Sequence, residues 1–171
     1  FTNMLYAGNI GLAQEWDLVL NLAKEIRDES ITIWIIGEGV KKEYLKSQIE
    51  KHQLSNIKLL PYQDRKYMPV INLFADFHFI AMDKSMENEG FPSKVYSIMA
   101  SGRPMVIVSS VNTPIISFLN ETNTSLLVTD HSISGFKNAV LKLVGDKELR
   151  ISLGANGRKI IDQDYTKEKV I

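Results

Sequence analysis

Residues 87–104 read ENEGFPSKVYSIMASGRP, and they hold the side chains best suited to chemistry. An acidic, glycine-containing segment (Glu89, Gly90, Phe91) runs into Pro92, Ser93 and Lys94, then into an amphipathic stretch closed by Gly102 and Pro104. Proline suits the first position of a helix, because its missing N–H would be unpaired there anyway. On that reading the amides of Phe91, Ser93 and Lys94 point out of the helix start and favour an anion. The helix dipole adds roughly 0.3–1 kcal/mol in exposed settings, and Lys94 adds a point charge suited to phosphate. Glu89 cannot share that phosphate, but its carboxylate can accept hydrogen bonds from hydroxyls. Phosphate and sugar together make a coherent ligand. The same residues also fit a plain helix start with a solvated lysine, and on this stretch alone both readings stand. Gly102, Arg103 and Pro104 read as structural, a helix end followed by a strand start.

The elements that would position these groups follow from periodicity. Residues 3–7 form a short apolar run stopped by Gly8. Trp16, Val19, Leu20, Ala23 and Ile26 recur at helical spacing. Residues 31–36 (ITIWII) are β-branched and almost continuously apolar, as in a strand covered on both faces. Tyr44, Leu45 and Ile49 mark the next helix, residues 57–60 a strand ended by Pro61, and Met68, Ile71 and Phe74 a short helix beginning near Asp64. Residues 76–82 make a fourth strand and the quoted stretch follows. Strands at 105–108 and 124–128 flank a short helix at 115–119. Ile133, Phe136, Val140, Leu141 and Val144 form a helix, with another from about Lys147 to Ile161. Strands alternate with helices throughout, which implies right-handed crossovers and a parallel sheet covered on both faces. The expected fold is a doubly wound, Rossmann-like α/β domain.

Ligands of such sheets bind outside the carboxyl ends of the strands. The segments there are residues 8–14, 37–39, 61–64, 83–93 and 109–114. Gly8, Asn9 and Gly11 could bring backbone close to a phosphate, but the full dinucleotide fingerprint is absent. Gly37 and Gly39 fit either a ligand loop or a strand end. His52, His78 and His131 are scattered and make no metal-ligand spacing; His78, inside a strand, reads as a core residue. No serine or cysteine nucleophile with a histidine base can be read.

Composition excludes several classes. Twenty Lys plus Arg balance twenty Asp plus Glu, so a nucleic-acid partner, which would need a basic excess, is disfavoured. There is no cysteine, hence no disulfide or thiolate metal site. No apolar run approaches the ~20 residues of a spanning helix, and no signal peptide is visible. The 171 residues suffice for one domain with a real core. The chain begins at Phe1 and ends at Ile171 in a lysine-rich polar stretch, and is read as a piece of a longer protein.

Taken in order, the segments YAGNIGLAQ (6–14), WIIGEGVKKEYL (34–45), NIKLLPYQDRKYMP (56–69), ADFHFIAM (75–82), EGFPSKVYSIMASGRPMVIV (89–108) and the helix at 146–158 carry a family likeness. They resemble the C-terminal, nucleotide-sugar-binding half of retaining glycosyltransferases of the GT-B fold, family GT4. The likeness is greatest to the subgroup transferring N-acetylated amino- or deoxy-sugars in bacterial capsule or O-antigen assembly. It implies that Glu89 holds hydroxyls of the donor sugar, and that Lys94, Gly8, Gly11, Gly90, Phe91, Pro92 and Ser93 surround the diphosphate. Glu89 and Lys94 would be the catalytic pair. A second family glutamate, which grips the ribose, falls on Ser97. The arginine and lysine usual in the first loop fall on Asn9 and Gln14. Two cations and one carboxylate are therefore replaced, leaving Lys94 and the amides to carry most of the diphosphate charge. The base would lie near Pro61 and Tyr62.

The resemblance further implies a nucleotide-sugar donor, uracil-linked by preference, no metal or other cofactor, and stabilisation of the leaving group by fixed charge. The acceptor, a sugar or lipid-linked sugar, would bind an absent N-terminal domain. The enzyme would be cytoplasmic, with peripheral contact to the inner face of the membrane in the full-length protein. Two other readings are open: half of a sugar-nucleotide epimerase of the same two-domain plan, and a non-catalytic α/β interaction domain.

Overall fold

The computed structural model describes residues 1–165; the lysine-rich end, residues 166–171, lies outside them. Six strands, β1 (Thr2–Ala7), β2 (Ile31–Ile36), β3 (Ile57–Leu60), β4 (Phe77–Ala81), β5 (Met105–Val108) and β6 (Ser125–Val128), form one parallel sheet. Their order is β3-β2-β1-β4-β5-β6, so the winding reverses between β1 and β4. This is the doubly wound α/β architecture that the alternation of elements predicts. Helices α1 (Trp16–Glu25), α2 (Lys42–Lys51), α3 (Met68–Phe74), α4 (Lys94–Ala100), α5 (Pro114–Asn120), α6 (Ile133–Gly145) and α7 (Lys147–Asp164) cover it, with a 3₁₀ turn at Arg65–Tyr67. Among the described residues no helix is long and apolar enough to cross a membrane.

The strongest sequence stripes bury as their spacing dictates. Trp16, Val19, Leu20, Ala23 and Ile26 of the first helical stretch are all buried, as is every residue of β4 and β5. Fully burying such Ile, Leu or Phe side chains contributes roughly 1.5–3 kcal/mol each. His78 is a core residue: its Nε2 lies 3.2 Å from the Asn72 carbonyl, and burial lowers its pKa to about 4, so the ring is neutral at pH 7.

Three local expectations shift. The stripe expected of the third helix is only partly covered: Met68 and Ile71 are half-buried, Phe74 is exposed, and the one fully buried residue is Asn72. In α2 only Leu45 is fully covered. Pro92 is not the first helical residue. Val95 N–H donates to the Pro92 carbonyl at 3.1 Å in a turn, and the helix proper begins at Lys94, after Ser93 at the N-cap. The first-turn lysine is therefore the first helical residue, which brings its side chain to the strand ends rather than along the helix.

Candidate functional site

β1 and β4 pair over only two positions, Met4 with Phe77 and Leu5 with His78. Beyond them the segment after β1 fills the gap. Gln14 accepts from the Ala81 N–H through Oε1 at 3.1 Å, Glu15 N–H donates to the Ala81 carbonyl, and Asp83 N–H donates to the Ala13 carbonyl. Above this junction, at the point where the winding reverses, lies a cavity of about 1570 Å³. That is where open α/β sheets bind ligands, and the volume exceeds the ~300–1,000 Å³ usual for small-molecule clefts.

Lys94 is the centre of the site. Its Nζ sits 3.7 Å from the centroid of the Tyr6 ring, a cation–π contact, and lies against Gly8 so closely that a Cβ on Gly8 would fall on it. Gly8 has φ +156°, and a Cβ on Gly37 would likewise collide with the Gly8 carbonyl, so glycine is needed at both strand ends. The Tyr6 hydroxyl donates to the Asn9 carbonyl at 2.6 Å, which fixes the ring under the ammonium. Burial lowers the Lys94 pKa to about 7 and raises that of the Tyr6 phenol. Among the described residues no carboxylate is ion-paired to Lys94. A desolvated amine without a counter-ion, facing a cavity, is a site for an anion to complete.

Most of the sequence candidates meet here. Gly8, Asn9, Gln14, Glu89, Gly90, Phe91, Pro92, Ser93, Lys94 and Ser97 all line the cavity. Glu89 is exposed at its rim, five residues before Lys94. Ser97 turns its hydroxyl to the Lys94 carbonyl at 2.9 Å. Gln14 faces the cavity with its amide engaged: Oε1 holds Ala81 N–H and Nε2 is 3.9 Å from Met82 Sδ. Gly11, Pro61 and Tyr62 are not in the lining. The Gly11 carbonyl accepts from the Trp16 indole at 2.8 Å, and Pro61 and Tyr62 are exposed beyond β3.

Several residues escape a reading of the sequence. Tyr6 reads as one letter of an apolar run. Arg65 and Arg158 bring two further cations to the lining from the 3₁₀ turn and from α7. Arg158 is tied to Asp162 at 3.0 Å and to the Ala100 carbonyl at 2.8 Å. His131, after β6, meets Glu87 and Glu15 in a buried cluster. Burial by itself would raise the Glu87 carboxyl, but hydrogen bonds from Ser110 and the neighbouring His131 outweigh it and hold the group below the ordinary carboxylate value. The signal available for His131 is its place in residues 129–132, which also follow a strand end.

Comparison with known proteins bears on the family and the fold. The family model for glycosyl transferases group 1 matches residues 2–160. WcaI of Escherichia coli K12, provisionally named a colanic acid biosynthesis glycosyl transferase, is 30% identical over 110 residues, covering 64% of this chain and 27% of its own length. The glycosyltransferase MJ1178 of Methanocaldococcus jannaschii is 24% identical over 152 residues, 88% of this chain and 41% of its own. The chain thus spans well under half the length of these curated relatives. Among solved structures, a point mutant of Staphylococcus aureus TarM, in complex with fondaparinux, α-GlcNAc-glycerol and UDP, superposes with TM-score 0.80 at 19% identity, over 99% of this chain and 34% of TarM. The separately solved C-terminal domain of the group 1 protein LpcC from Francisella tularensis gives 0.77 at 18% identity, over 97% of this chain and 87% of that one. At these identities the structural likeness speaks for the fold. The family match, spanning nearly the whole chain, settles membership: this chain belongs to the glycosyl transferases group 1 family.

Proposed function

We propose that this chain is the donor-binding domain of a retaining, metal-independent glycosyltransferase of bacterial surface polysaccharide assembly, and that its ligand is a nucleoside diphosphate sugar. The observation that carries the reading is Lys94, a partly buried ammonium without an ion-pair partner among the described residues, set between Gly8 and the Tyr6 ring at the mouth of the strand-switch crevice. The diphosphate sits on Lys94 with the Ser93 and Lys94 amides. Glu89, at the rim, accepts hydrogen bonds from hydroxyls of the sugar. Charge develops on the diphosphate as the glycosidic bond breaks, and a fixed cation in a low-dielectric wall stabilises it without reorganisation. Asn9 lines the same wall, and its carbonyl is committed to Tyr6. Gln14 serves the β1–β4 junction and supplies no charge. Arg65, nearer to β3, is a further cation on the side where the base would lie.

The acceptor, and transfer itself, belong to the remainder of the longer protein, so this chain binds donor and transfers nothing. UDP is the first nucleotide to try, because related structures hold it: TarM was solved with UDP, and HepE of Anabaena with UDP and glucose. No observation favours an epimerase half or a non-catalytic interaction domain. Saturation-transfer NMR against UDP, GDP and their sugars tests the reading, with and without EDTA. Binding that survives EDTA, disappears in Lys94→Ala and weakens for the sugar nucleotide alone in Glu89→Gln is expected. Absence of any nucleotide binding at millimolar concentration would sink it.

A further inference from the structure

A buried polar cluster that no step above uses lies behind the wall carrying Glu89. His131 has left-handed backbone (φ 53°), and its side chain is 3% exposed. Its Nδ1 lies 2.8 Å from Glu15 Oε2 and its Nε2 3.1 Å from Glu87 Oε2. Both ring nitrogens thus face a carboxylate oxygen, and the Ser110 hydroxyl lies 3.3 Å from Nε2. Glu87 also accepts from the Ser110 N–H at 2.9 Å and the Ser109 hydroxyl at 3.3 Å. One imidazole thus joins segments that follow four strands: Glu15 after β1, Glu87 after β4, Ser109 and Ser110 after β5, and its own after β6.

Residues 83–93 need such a tether. They contain no helix or strand, and up to Phe91 their backbone bonds are few: Asp83 N–H to Ala13, Met86 N–H to Asp83 and Glu89 N–H to Met86, while the Pro92 and Ser93 carbonyls accept from Val95 and Tyr96 at the start of α4. Glu87 is the buried anchor of this segment at 5% exposure, and Glu89, two residues on, stands in the cavity rim. A buried carboxylate stays where its donors are, because leaving them unpaired is costly.

We propose that His131 is a positioning residue: it pins residues 83–93 to the sheet edge through Glu87 and so holds Glu89 against the donor sugar. The contact of Glu89 with sugar rests on the donor-binding reading; the pinning of the segment does not. The test therefore has two arms, on wild type, His131→Gln and Glu87→Gln, the last guarding against a His131 variant that fails to fold. In the first, amide hydrogen exchange is followed by peptide. Exchange across residues 84–90 should quicken by about tenfold or more while β1 to β5 change little, as for a local opening rather than global loss of stability. Uniform acceleration, or none at residues 84–90, overturns the proposal. In the second arm UDP and UDP-N-acetylglucosamine are titrated. The sugar nucleotide should lose several-fold more affinity than UDP, and equal losses overturn the link to Glu89. If wild type binds neither, the donor reading fails and the sugar half of the inference falls with it, while the exchange arm still decides the pinning.

Discussion

Lys94→Met separates the two roles of Lys94, because it keeps the stem over Tyr6 and removes the charge. Burial lowers the ammonium from its ordinary 10.5 to about 7. At about 1.36 kcal/mol for each pH unit, keeping that amine charged in the fold costs at most about 5 kcal/mol. The cation–π contact with Tyr6 returns part of this, about 0.5–2 kcal/mol. The sign follows from proton counting. Between about pH 7 and 10.5 the unfolded chain holds the proton and the folded chain does not, so stability rises with pH across that window. Between about pH 6 and pH 9 the wild type should recover roughly 2–3 kcal/mol from this group alone. Lys94→Met should lack that gain and be the more stable protein at the acid end, a cost of function carried by the wild type.

Donor binding should run the opposite way, since the diphosphate needs the charged amine. UDP-sugar affinity should fall roughly tenfold from about pH 6 to pH 8, as the protonated fraction of a group with pKa near 7 falls. A sugar diphosphate diester keeps constant charge over this range, so the change belongs to the protein. Urea unfolding at the two pH values, with isothermal titration of a UDP-sugar beside it, measures both. Parallel pH profiles for wild type and Lys94→Met would refute the reasoning, because the ammonium would then be solvated and unspecial.

Two further substitutions probe other parts of the fold. Ser97→Glu places a carboxylate on the exposed face of α4, where the proposed donor site would hold the ribose; a hydrogen bond to a charged group is worth about 1.5–3 kcal/mol, so UDP affinity should rise by about tenfold or more in a titration. Unchanged affinity would place the ribose elsewhere. Gly154→Ala should destabilise despite alanine's better helix propensity, because its Cβ would collide with the Gly102 carbonyl where α7 crosses the end of α4. A loss of about 2–3 kcal/mol in urea unfolding is expected, typical of overpacking in a close contact. A gain, as propensity alone predicts, would mean that the two helices slide apart freely.

The fold class was legible because it rests on local regularities. Residues 31–36 form a covered strand, and Trp16 to Ile26 a helix with one buried face, since backbone sterics and apolar period act within a few residues. Glu89 and Lys94 were legible as types: an acid and a base flanking a glycine–proline turn at a strand end. Where the period was short it misled. Met68, Ile71 and Phe74 predict an inward stripe for α3, yet Phe74 is exposed and the other two are only half-buried, because three apolar positions do not specify which neighbour covers them.

Local pattern alone therefore establishes a parallel α/β domain with one loop carrying an acid and a lysine at its carboxyl edge. The character of that lysine comes from packing between distant segments. Tyr6 and Gly8 lie 88 and 86 residues from Lys94, and they meet because the winding reverses between β1 and β4. That meeting strips water from the amine, orients it over a ring and points it into the crevice. Glu87 and His131, 44 residues apart, depend on the same sheet order. Long-range partners such as these are set by strand order and register, which no window of the sequence contains.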